Sequence, residues 1–441
     1  MKKVVHTPEG VRDIYGNECQ RKHYLQNRIH DNFRCFGYQD IETPTFEFFD
    51  VFGKETGTTT SRELYKFFDK EGNTLVLRPD FTPSIGRCAA KYFMEESMPV
   101  RLTYLGNTYT NTSNLQGKLK ETTQMGVELI GDASVMADAE MIHLAVSSLK
   151  AAGLSDFQIS IGEIDFFKGI CKELQLDEET EMDLRENISN KNYFGAEELL
   201  TGKNLSKNQI DTILKITELF GSYEILQEAR ELVNNEQSQS SIDRLMQLYE
   251  LLKVYEDEKY ISFDLGLVSK YHYYTGIIFK GYTYGTGDAI VTGGRYDSLL
   301  SYFGKNSASI GFVINVDGLM QAMASRKLFP DVSHKLTLVV YEAGCESDAI
   351  RYAKELRSLK KNCELHLLSE EHDEAFYLAY AKQQSQTSVV RLSSKGMKEL
   401  YKATSYSMSL LLPCLTTLLA FVIPSFSSVL FASSIISIDV L

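Results

Sequence analysis

The chain has 441 residues, 43% of them hydrophobic, which is enough for two or three globular domains with their own cores. Its 59 acidic and 46 basic residues give a formal net charge of -13, which repels phosphate backbones and argues against nucleic acid as a partner. The 7 cysteines include no CxxC pair, so neither a zinc site nor a disulfide framework is indicated.

The cysteine spacing and the N-terminus both bear on where the protein resides. Widely separated cysteines are typical of free thiols in a reducing compartment. The first residues, MKKVVHTPEG, lack an apolar core of the length that a signal peptide needs. We therefore expect a cytoplasmic protein that holds no metal and no cofactor.

A long amphipathic helix is the first predicted element. Leu25, Ile29 and Phe33 recur every four positions, which is the spacing of one helix face. Asn17 can cap the N-terminus of this helix, and Gly37 lies where a left-handed terminator belongs. We expect one face of the helix to be buried.

Short strands and a second helix are predicted next. The helix is indicated by Met141, Ala145 and Leu149, which share one side. The stretch YLGNTYTNT at 104–112 is interpreted as a long connection between two strands, a usual place for the phosphates of a nucleotide, although it contains no arginine. The predicted strands cover residues 74–77, 101–105, 124–131 and 157–167.

The composition of the sequence changes twice before the C-terminal region. Residues 171–257 are charged and leucine-rich (LDEETEMDLRENI, IDRLMQLYELLKVYEDE), which is typical of helices. Residues 260–320 return to strands in which glycines punctuate β-branched and aromatic residues, as tight hairpins or a close approach of backbone to a ligand would require. We interpret 1–325 as a mostly antiparallel α+β domain with a helical insertion.

The C-terminal part divides into two segments. Residues 335–402 alternate strand and helix, which predicts a small separate α/β domain. The tail, 403–441, is uncharged up to residue 438 and exceeds the roughly 20 residues that span a bilayer. Its prolines and its many serines and threonines weaken it as an ordinary spanning helix, so a membrane partner is not expected. Two interpretations of the tail remain open: it is a buried C-terminal element, or it is an out-of-frame or read-through extension.

Five motifs occur in one order and at compatible spacing along the first 325 residues. The motifs are TPEGVRDI, LRPDFT, the segment 101–131, YYTGIIF, and GGRYDSLL followed by SIGFVINVDGL. Together they resemble the catalytic domain of class II histidyl-tRNA synthetases. The resemblance implies a class II aminoacyl-tRNA synthetase-like antiparallel sheet, and it makes the small C-terminal domain similar to an anticodon-binding module.

The sequence departs from the synthetase pattern at three arginine positions. The arginine that the family places on the ATP α-phosphate aligns with Thr110, and two further arginines align with Ser269 and Gly318. A neutral side chain cannot supply a fixed positive fork for phosphate charge. Because adenylate formation depends on such charges, the resemblance implies that aminoacylation is lost.

The amino-acid half of the same pocket is better preserved. Gln124 and Glu128 lie four residues apart along a predicted strand, so their side chains point to one face and can reach one ligand. A buried glutamate or glutamine can equally make a satisfied structural hydrogen bond. By resemblance, the following residues match the histidine contacts of the synthetase: Asp80, Thr82, Gln124, Glu128, Tyr273 and Tyr274.

A non-catalytic paralogue of the synthetase is more similar still. TPEGVRDI, LRPDFTPSIGRCAAKYF, QMGVELIG and YYTGIIFKGY closely resemble the regulatory subunit of ATP phosphoribosyltransferase. The resemblance implies a homodimer within a hetero-oligomer, in which this chain supports a short-form catalytic subunit and mediates histidine inhibition of the first step of histidine biosynthesis. An active histidyl-tRNA synthetase and a stand-alone histidine-binding scaffold are the alternatives.

Overall fold

The computed structural model describes residues 5–53, 59–112, 118–203, 205–267, 273–332, 335–384 and 387–402. The chain divides into two compact units, Met1–Val332 and Ser333–Leu441. Ser269 and the tail predicted at 403–441 lie outside the described residues.

The first unit combines a large sheet with helices before, between and after its strands. Its helices are α1 (Gly16–Cys35), α2 (Thr82–Tyr92), α3 (Val135–Ala152), α4 (Ile164–Glu173), α5 (Glu178–Ser189), α6 (Tyr193–Thr201), α7 (Lys207–Thr217), α8 (Glu224–Leu232), α9 (Glu236–Val254) and α10 (Val316–Ser325). Its strands are β1 (Gln39–Asp40), β2 (Phe46–Phe48), β3 (Lys66–Phe68), β4 (Thr74–Leu77), β5 (Val100–Tyr109), β6 (Glu121–Ile130), β7 (Phe157–Glu163), β8 (Phe220–Gly221), β9 (Ile261–Asp264), β10 (Ile277–Thr283), β11 (Val291–Arg295) and β12 (Ser309–Asn315).

A nine-stranded sheet forms the centre of this unit, in the order β1-β5-β6-β12-β11-β10-β7-β9-β8. Its central pairs are antiparallel, whereas β1 pairs with β5 and β9 with β7 in parallel. Helices α1, α3 and α10 cover one face, and the strands β2, β4 and β3 form a separate small sheet. The predicted antiparallel α+β fold is confirmed.

Helix α1 has the buried face that its periodicity predicts. Leu25, Ile29 and Phe33 are fully buried in the main core, and Gly37 has a positive φ of 80° just beyond the helix end. The predicted cap is wrong, because the helix begins at Gly16 and Asn17 lies inside its first turn.

Two predicted element boundaries were wrong. Strand β5 continues to Tyr109, so most of the stretch 104–112 is strand and not connection. Thr108 pairs with Thr122 of β6 across the hairpin, with their hydroxyl oxygens 3.0 Å apart. The strand predicted at 157–167 stops at Glu163, whose carboxylate accepts hydrogen bonds from the first amides of α4 and so starts that helix.

The helical run of the first unit extends from α4 to α9 and is interrupted by the two-residue strand β8. It therefore begins at Ile164, before the predicted position 171. Helix α9 packs along α4 and α3, which attaches the helical run to the central sheet through α3.

The second unit has an α/β arrangement of its own. Its elements are β13 (Leu336–Tyr341), α11 (Glu346–Ser358), β14 (Asn362–Leu367), α12 (Glu374–Gln383), β15 (Thr387–Ser393) and β16 (Gly396–Tyr401). The strand order is β14-β13-β15-β16; the first three strands are parallel and β16 is antiparallel. Helices α12 and α11 pack on opposite faces of this sheet, which agrees with alternating strand and helix in the sequence.

Within the described ranges, no helix is long and apolar enough to cross a membrane. Each of the cysteines that the structure describes is a free thiol. In the same part of the chain, no three His, Cys, Asp or Glu side chains are grouped so that they could hold a metal ion.

A buried carboxylate joins three elements of the first unit. Asp138, in the first turn of α3, is fully buried and lies 3.0 Å from Nε of Arg295, at the end of β11. Nε of Arg244 on α9 donates to the same carboxylate at 2.8 Å. This ion cluster connects α3, α9 and the strand that precedes the segment 296–300.

We expect Asp138→Ala to destabilise the first unit by about 3 kcal/mol, because the buried guanidinium of Arg295 loses its closer carboxylate partner and retains only the Asp297 carboxylate, 3.3 Å away. Thermal and urea unfolding of the full chain measure the effect. Glu250→Ala is the matched control: Glu250 pairs with Lys253 at the surface, and we expect a loss below about 1 kcal/mol. Equal losses in the two variants would contradict the assignment of the Asp138 cluster as a structural centre.

Candidate functional site

A cavity of about 520 Å³ opens on the face of the large sheet opposite α1 and α3. This volume is within the roughly 300–1,000 Å³ of small-molecule sites. The walls come from the β5–β6 hairpin, the start of α2, and strands β11 and β12 with the segments beside them. The structure brings all of the predicted ligand residues into this cavity: Asp80, Thr82, Gln124, Glu128, Tyr273 and Tyr274.

Strand β6 supplies the floor of the cavity through its two-residue alternation. Gln124 and Glu128 face the cavity, while Met125, Val127 and Leu129 are fully buried in the main core on the other side. The predicted spacing of four residues therefore places the amide and the carboxyl group on the same surface.

The carboxyl group of Glu128 is held at the inner end of the cavity. Only 1% of the residue is exposed; Oε1 accepts a hydrogen bond from the Thr82 hydroxyl at 2.9 Å, and Oε2 accepts one from the Tyr296 hydroxyl at 2.5 Å. The carboxyl group lies over Gly311 of the neighbouring strand, where any Cβ atom would overlap it. Sequence reasoning missed Tyr296, although it lies in the quoted motif GGRYDSLL.

Burial changes the protonation of this group. It raises the pKa of Glu128 to about 8, since the ionised form loses its hydration. The hydrogen bonds from Tyr296 and Thr82 favour the ionised form and oppose this effect, while the negative charge of Asp80 adds to it. Burial therefore favours the neutral form of Glu128 over the ionised form.

Asp80 has a structural role beside the cavity. Its Oδ1 accepts hydrogen bonds from the backbone amides of Phe81 at 2.6 Å and Thr82 at 3.2 Å. These bonds satisfy amides at the start of α2, where Pro83 follows in the first turn. The acid thus positions the helix whose Thr82 hydroxyl reaches Glu128.

Tyr104 forms part of one wall of the cavity, and two further side chains are stacked behind it. The ring of Tyr104 is stacked on Phe81 with centroids 4.4 Å apart, and the guanidinium of Arg78 lies 4.0 Å from the Phe81 centroid. Arg78 also donates to the carbonyl of Asn107 at 2.9 Å, which fixes it to β5. Sequence reasoning missed Tyr104; its signal is Gly126 directly across the hairpin, where a side chain would collide with the tyrosine hydroxyl.

The predicted tyrosine pair forms the opposite wall. Tyr273 and Tyr274 are 6% and 8% exposed, with ring centroids 4.5 Å apart. Tyr273 also meets the ring of Tyr296 edge-on at 6.1 Å. The inner end is therefore enclosed by aromatic rings and has polar groups at its floor.

The outer end of the cavity carries different chemistry. Thr110, the position of the first missing arginine, lies here with further threonines and with Glu63. Among the lining residues that the structure describes, Lys118 is the sole basic side chain. The sequence analysis missed Lys118 because it considered only the arginine positions of the synthetase pattern. Gly318 lies instead in a second cavity of about 820 Å³ beside α10, and Ser269 is outside the described residues.

Comparison with known proteins places the chain in a family. Residues 10–319 match the histidyl-tRNA synthetase family. The ATP phosphoribosyltransferase regulatory subunit of Acetivibrio thermocellus is 40% identical over 353 residues, which cover 80% of this chain and 84% of that protein. The chain belongs to the ATP phosphoribosyltransferase regulatory subunit family. A second member, from Clostridium acetobutylicum, is 38% identical over 73% of this chain and 79% of its own.

Solved structures give the same fold. A Bacillus halodurans protein described as "ATP phosphoribosyltransferase regulatory subunit/histidyl-tRNA synthetase" superposes with a TM-score of 0.80 at 32% identity, covering 89% of this chain and 99% of that one. A histidyl-tRNA synthetase from a Nostoc species superposes with a TM-score of 0.75 at 18% identity, covering 91% and 97%, and supports the fold alone. The class II synthetase-like fold of this regulatory-subunit family member is thereby confirmed.

The raised pKa of Glu128 predicts a pH dependence of stability. A carboxyl whose pKa is higher in the folded state stabilises that state below its unfolded pKa of about 4.5, and this contribution is lost as pH rises through about 8. We expect the melting temperature of the wild type, relative to Glu128→Gln, to fall between pH 5 and pH 8.5, by an amount equivalent to a few kcal/mol. Burial also raises the pKa of Glu163 to about 7. Because Glu163 is present in both proteins, its contribution to the pH dependence cancels in the difference. A difference that does not change with pH would contradict the prediction.

Proposed function

We propose that the chain is a non-catalytic regulatory subunit that supports a short-form catalytic subunit of ATP phosphoribosyltransferase and makes the assembly sensitive to histidine, at the first step of histidine biosynthesis. The observation that carries the proposal is the difference between the two ends of one cavity. The inner end has acidic, amide, hydroxyl and aromatic groups, whereas the outer end has Thr110 where adenylate chemistry requires arginine.

The outer end supports a non-catalytic role. Transfer of a nucleotidyl group relies on fixed cations placed where charge develops, and Thr110 and Gly318 carry none. Lys118 is a single point charge on a flexible stem, which does not reproduce the planar two-point contact of arginine. The charge balance of this end fits binding better than catalysis.

The inner end supports histidine as the ligand. Asp80 and Glu128 contribute carboxyl oxygens to the lining, and Thr82 contributes a hydroxyl. The rings of Tyr273 and Tyr274 line the same cavity. Oε1 of Gln124 is buried and has no hydrogen-bond partner within the described part of the chain, so a ligand N–H would satisfy it. An amino acid with a polar aromatic ring matches both the aromatic walls and the polar floor.

The assembly in this proposal is a homodimer of the chain within a hetero-oligomer that also contains the catalytic subunit, in the cytoplasm, with no cofactor and no nucleic acid. The names of the relatives support a partner, since a regulatory subunit implies a subunit that it regulates. If histidine favours an inhibited assembly, linkage requires that assembly changes histidine affinity by the same factor.

We expect the isolated chain to show no histidine-dependent exchange of pyrophosphate into ATP above background, because the charge-stabilising positions are neutral. The control is an active histidyl-tRNA synthetase under identical conditions. Exchange clearly above background would overturn the non-catalytic assignment and favour a synthetase.

The complex reconstituted with the short catalytic subunit provides the direct test. We expect Glu128→Ala to raise the histidine concentration for half-inhibition about tenfold or more, since it removes a buried partner of the ligand at a cost of roughly 1 to 3 kcal/mol. Asp80→Ala should also raise this concentration. The melting temperature of that variant reports any destabilisation of the N-terminus of α2. Glu250→Ala, with an exposed carboxylate, is the control.

Normal assembly together with unchanged inhibition in both cavity variants would show that this cavity is not the histidine site. Failure of the wild-type chain to co-purify with the catalytic subunit, or to raise its activity, would overturn the regulatory role itself.

A further inference from the structure

Three large apolar side chains are exposed where α2 ends and the chain continues toward β5. Tyr92, the last residue of the helix, is 65% exposed, and Met94 and Met98 are 48% and 73% exposed. Single exposed apolar side chains are ordinary, whereas a group of them marks an interaction site. Methionine suits such a site because its flexible side chain adapts to the surface of a partner. We name Tyr92, Met94 and Met98 the α2 patch.

A small cavity of about 290 Å³ adjoins the α2 patch. Met98 lines it together with three further apolar side chains, those of Phe93, Pro99 and Val100. The cavity is smaller than most small-molecule sites, which occupy roughly 300–1,000 Å³, and its size suits one large side chain. In protein interfaces, anchor side chains that fill such pockets contribute much of the binding energy.

The α2 patch is joined to the ligand cavity by α2 itself. Thr82 begins this helix and donates its hydroxyl hydrogen bond to Glu128, and Tyr92 ends it. Phe93 packs against the apolar cluster that also contains Tyr274, a wall of the ligand cavity. One helix and one continuous apolar cluster therefore extend from the ligand cavity to the patch.

A second segment makes the same connection. The short 3₁₀-helix Leu299–Phe303 follows Tyr296, whose hydroxyl is the other donor to Glu128, and it packs along α2. Directly after it, the ammonium group of Lys305 donates to the backbone carbonyl of Phe93. Both segments that hold the carboxyl group of Glu128 thus meet again beside the α2 patch.

The charge around the α2 patch indicates what kind of surface covers it. Glu95 and Glu96 are both exposed within the patch segment, and the one nearby cation of this segment, Lys91, lies with its ammonium 4.9 Å from the centre of the Tyr92 ring. A second copy of this chain, with a formal net charge of -13, brings further negative charge to this rim. A basic surface on a different protein is complementary to it.

We propose that the α2 patch is the docking surface for the short-form catalytic subunit, which places an apolar side chain in the 290 Å³ cavity and basic groups opposite Glu95 and Glu96. The inference rests on the proposed function, because it assigns the surface through which the regulatory chain contacts its partner. A subunit docked here touches the two segments that hold Glu128. The ligand and the partner thereby bind at opposite ends of the same elements.

Calorimetric titration of the full chain with the purified short-form catalytic subunit tests the surface. We expect the double variant Met94→Asp/Met98→Asp to weaken binding about tenfold or more, because it replaces apolar contacts by charge at an acidic rim. Its melting temperature and its affinity for histidine should equal those of the wild type, since both positions are exposed. Met182→Asp on α5, where the methionine is 49% exposed, is the matched control and should bind the catalytic subunit like the wild type.

A second variant tests the charge alone. Glu95→Lys/Glu96→Lys leaves the three apolar side chains in place and reverses the rim, so it should also weaken binding of the catalytic subunit. This loss should diminish at high salt, because exposed charges are screened.

The outcomes separate the docking surface from the regulatory role. If the wild type binds the catalytic subunit and both double variants bind it equally well, the docking surface is overturned while the regulatory role stands. A loss in Met182→Asp as large as that in Met94→Asp/Met98→Asp overturns it too. If light scattering gives Met94→Asp/Met98→Asp a lower mass than the wild type, the α2 patch joins copies of this chain and the proposal fails. A wild type that does not bind the catalytic subunit overturns both claims.

Discussion

The carboxyl group of Glu128 is the contact on which the inner cavity depends. It accepts hydrogen bonds from a hydroxyl group of α2 and from one in the segment after β11, and Glu128 itself belongs to β6. Three separate parts of the chain therefore meet at one buried group. Such a group is costly to bury unless its hydrogen bonds are made, and here Thr82 and Tyr296 make them. The geometry of the floor, the entry of α2 and the placement of the tyrosine walls all follow from this meeting point.

The two ends of the cavity differ because they depend on different parts of the hairpin. Near Glu128, the strands β5 and β6 are flanked by α2 and β12, which exclude water and fix side chains. Beyond Thr108 and Thr122, the cavity is lined by Thr110, Glu63 and Lys118.

The sequence predicted what depends on local periodicity and missed what depends on strands meeting across the sheet. Two-residue alternation was enough to place Gln124 and Glu128 on one surface, and helical spacing was enough for the buried face of α1. The length of β5 was not predictable locally, because threonines that suit a loop become strand residues once paired with β6. Tyr104 has room because Gly126 lies across the hairpin from it, and Tyr296 reaches Glu128 from a distant part of the chain. No short motif encodes either relation. Nothing local in the sequence marks Lys118 as a lining residue of the cavity.

The contact between Glu128 and Gly311 also constrains how this family can vary. A side chain at position 311 and a carboxyl group at position 128 compete for the same volume, although the two residues belong to distant parts of the chain. A homologue that acquires alanine at the first position must shorten or redirect the residue at the second. Positions 128 and 311 should therefore be exchanged together during divergence, as a coupled pair rather than as independent sites.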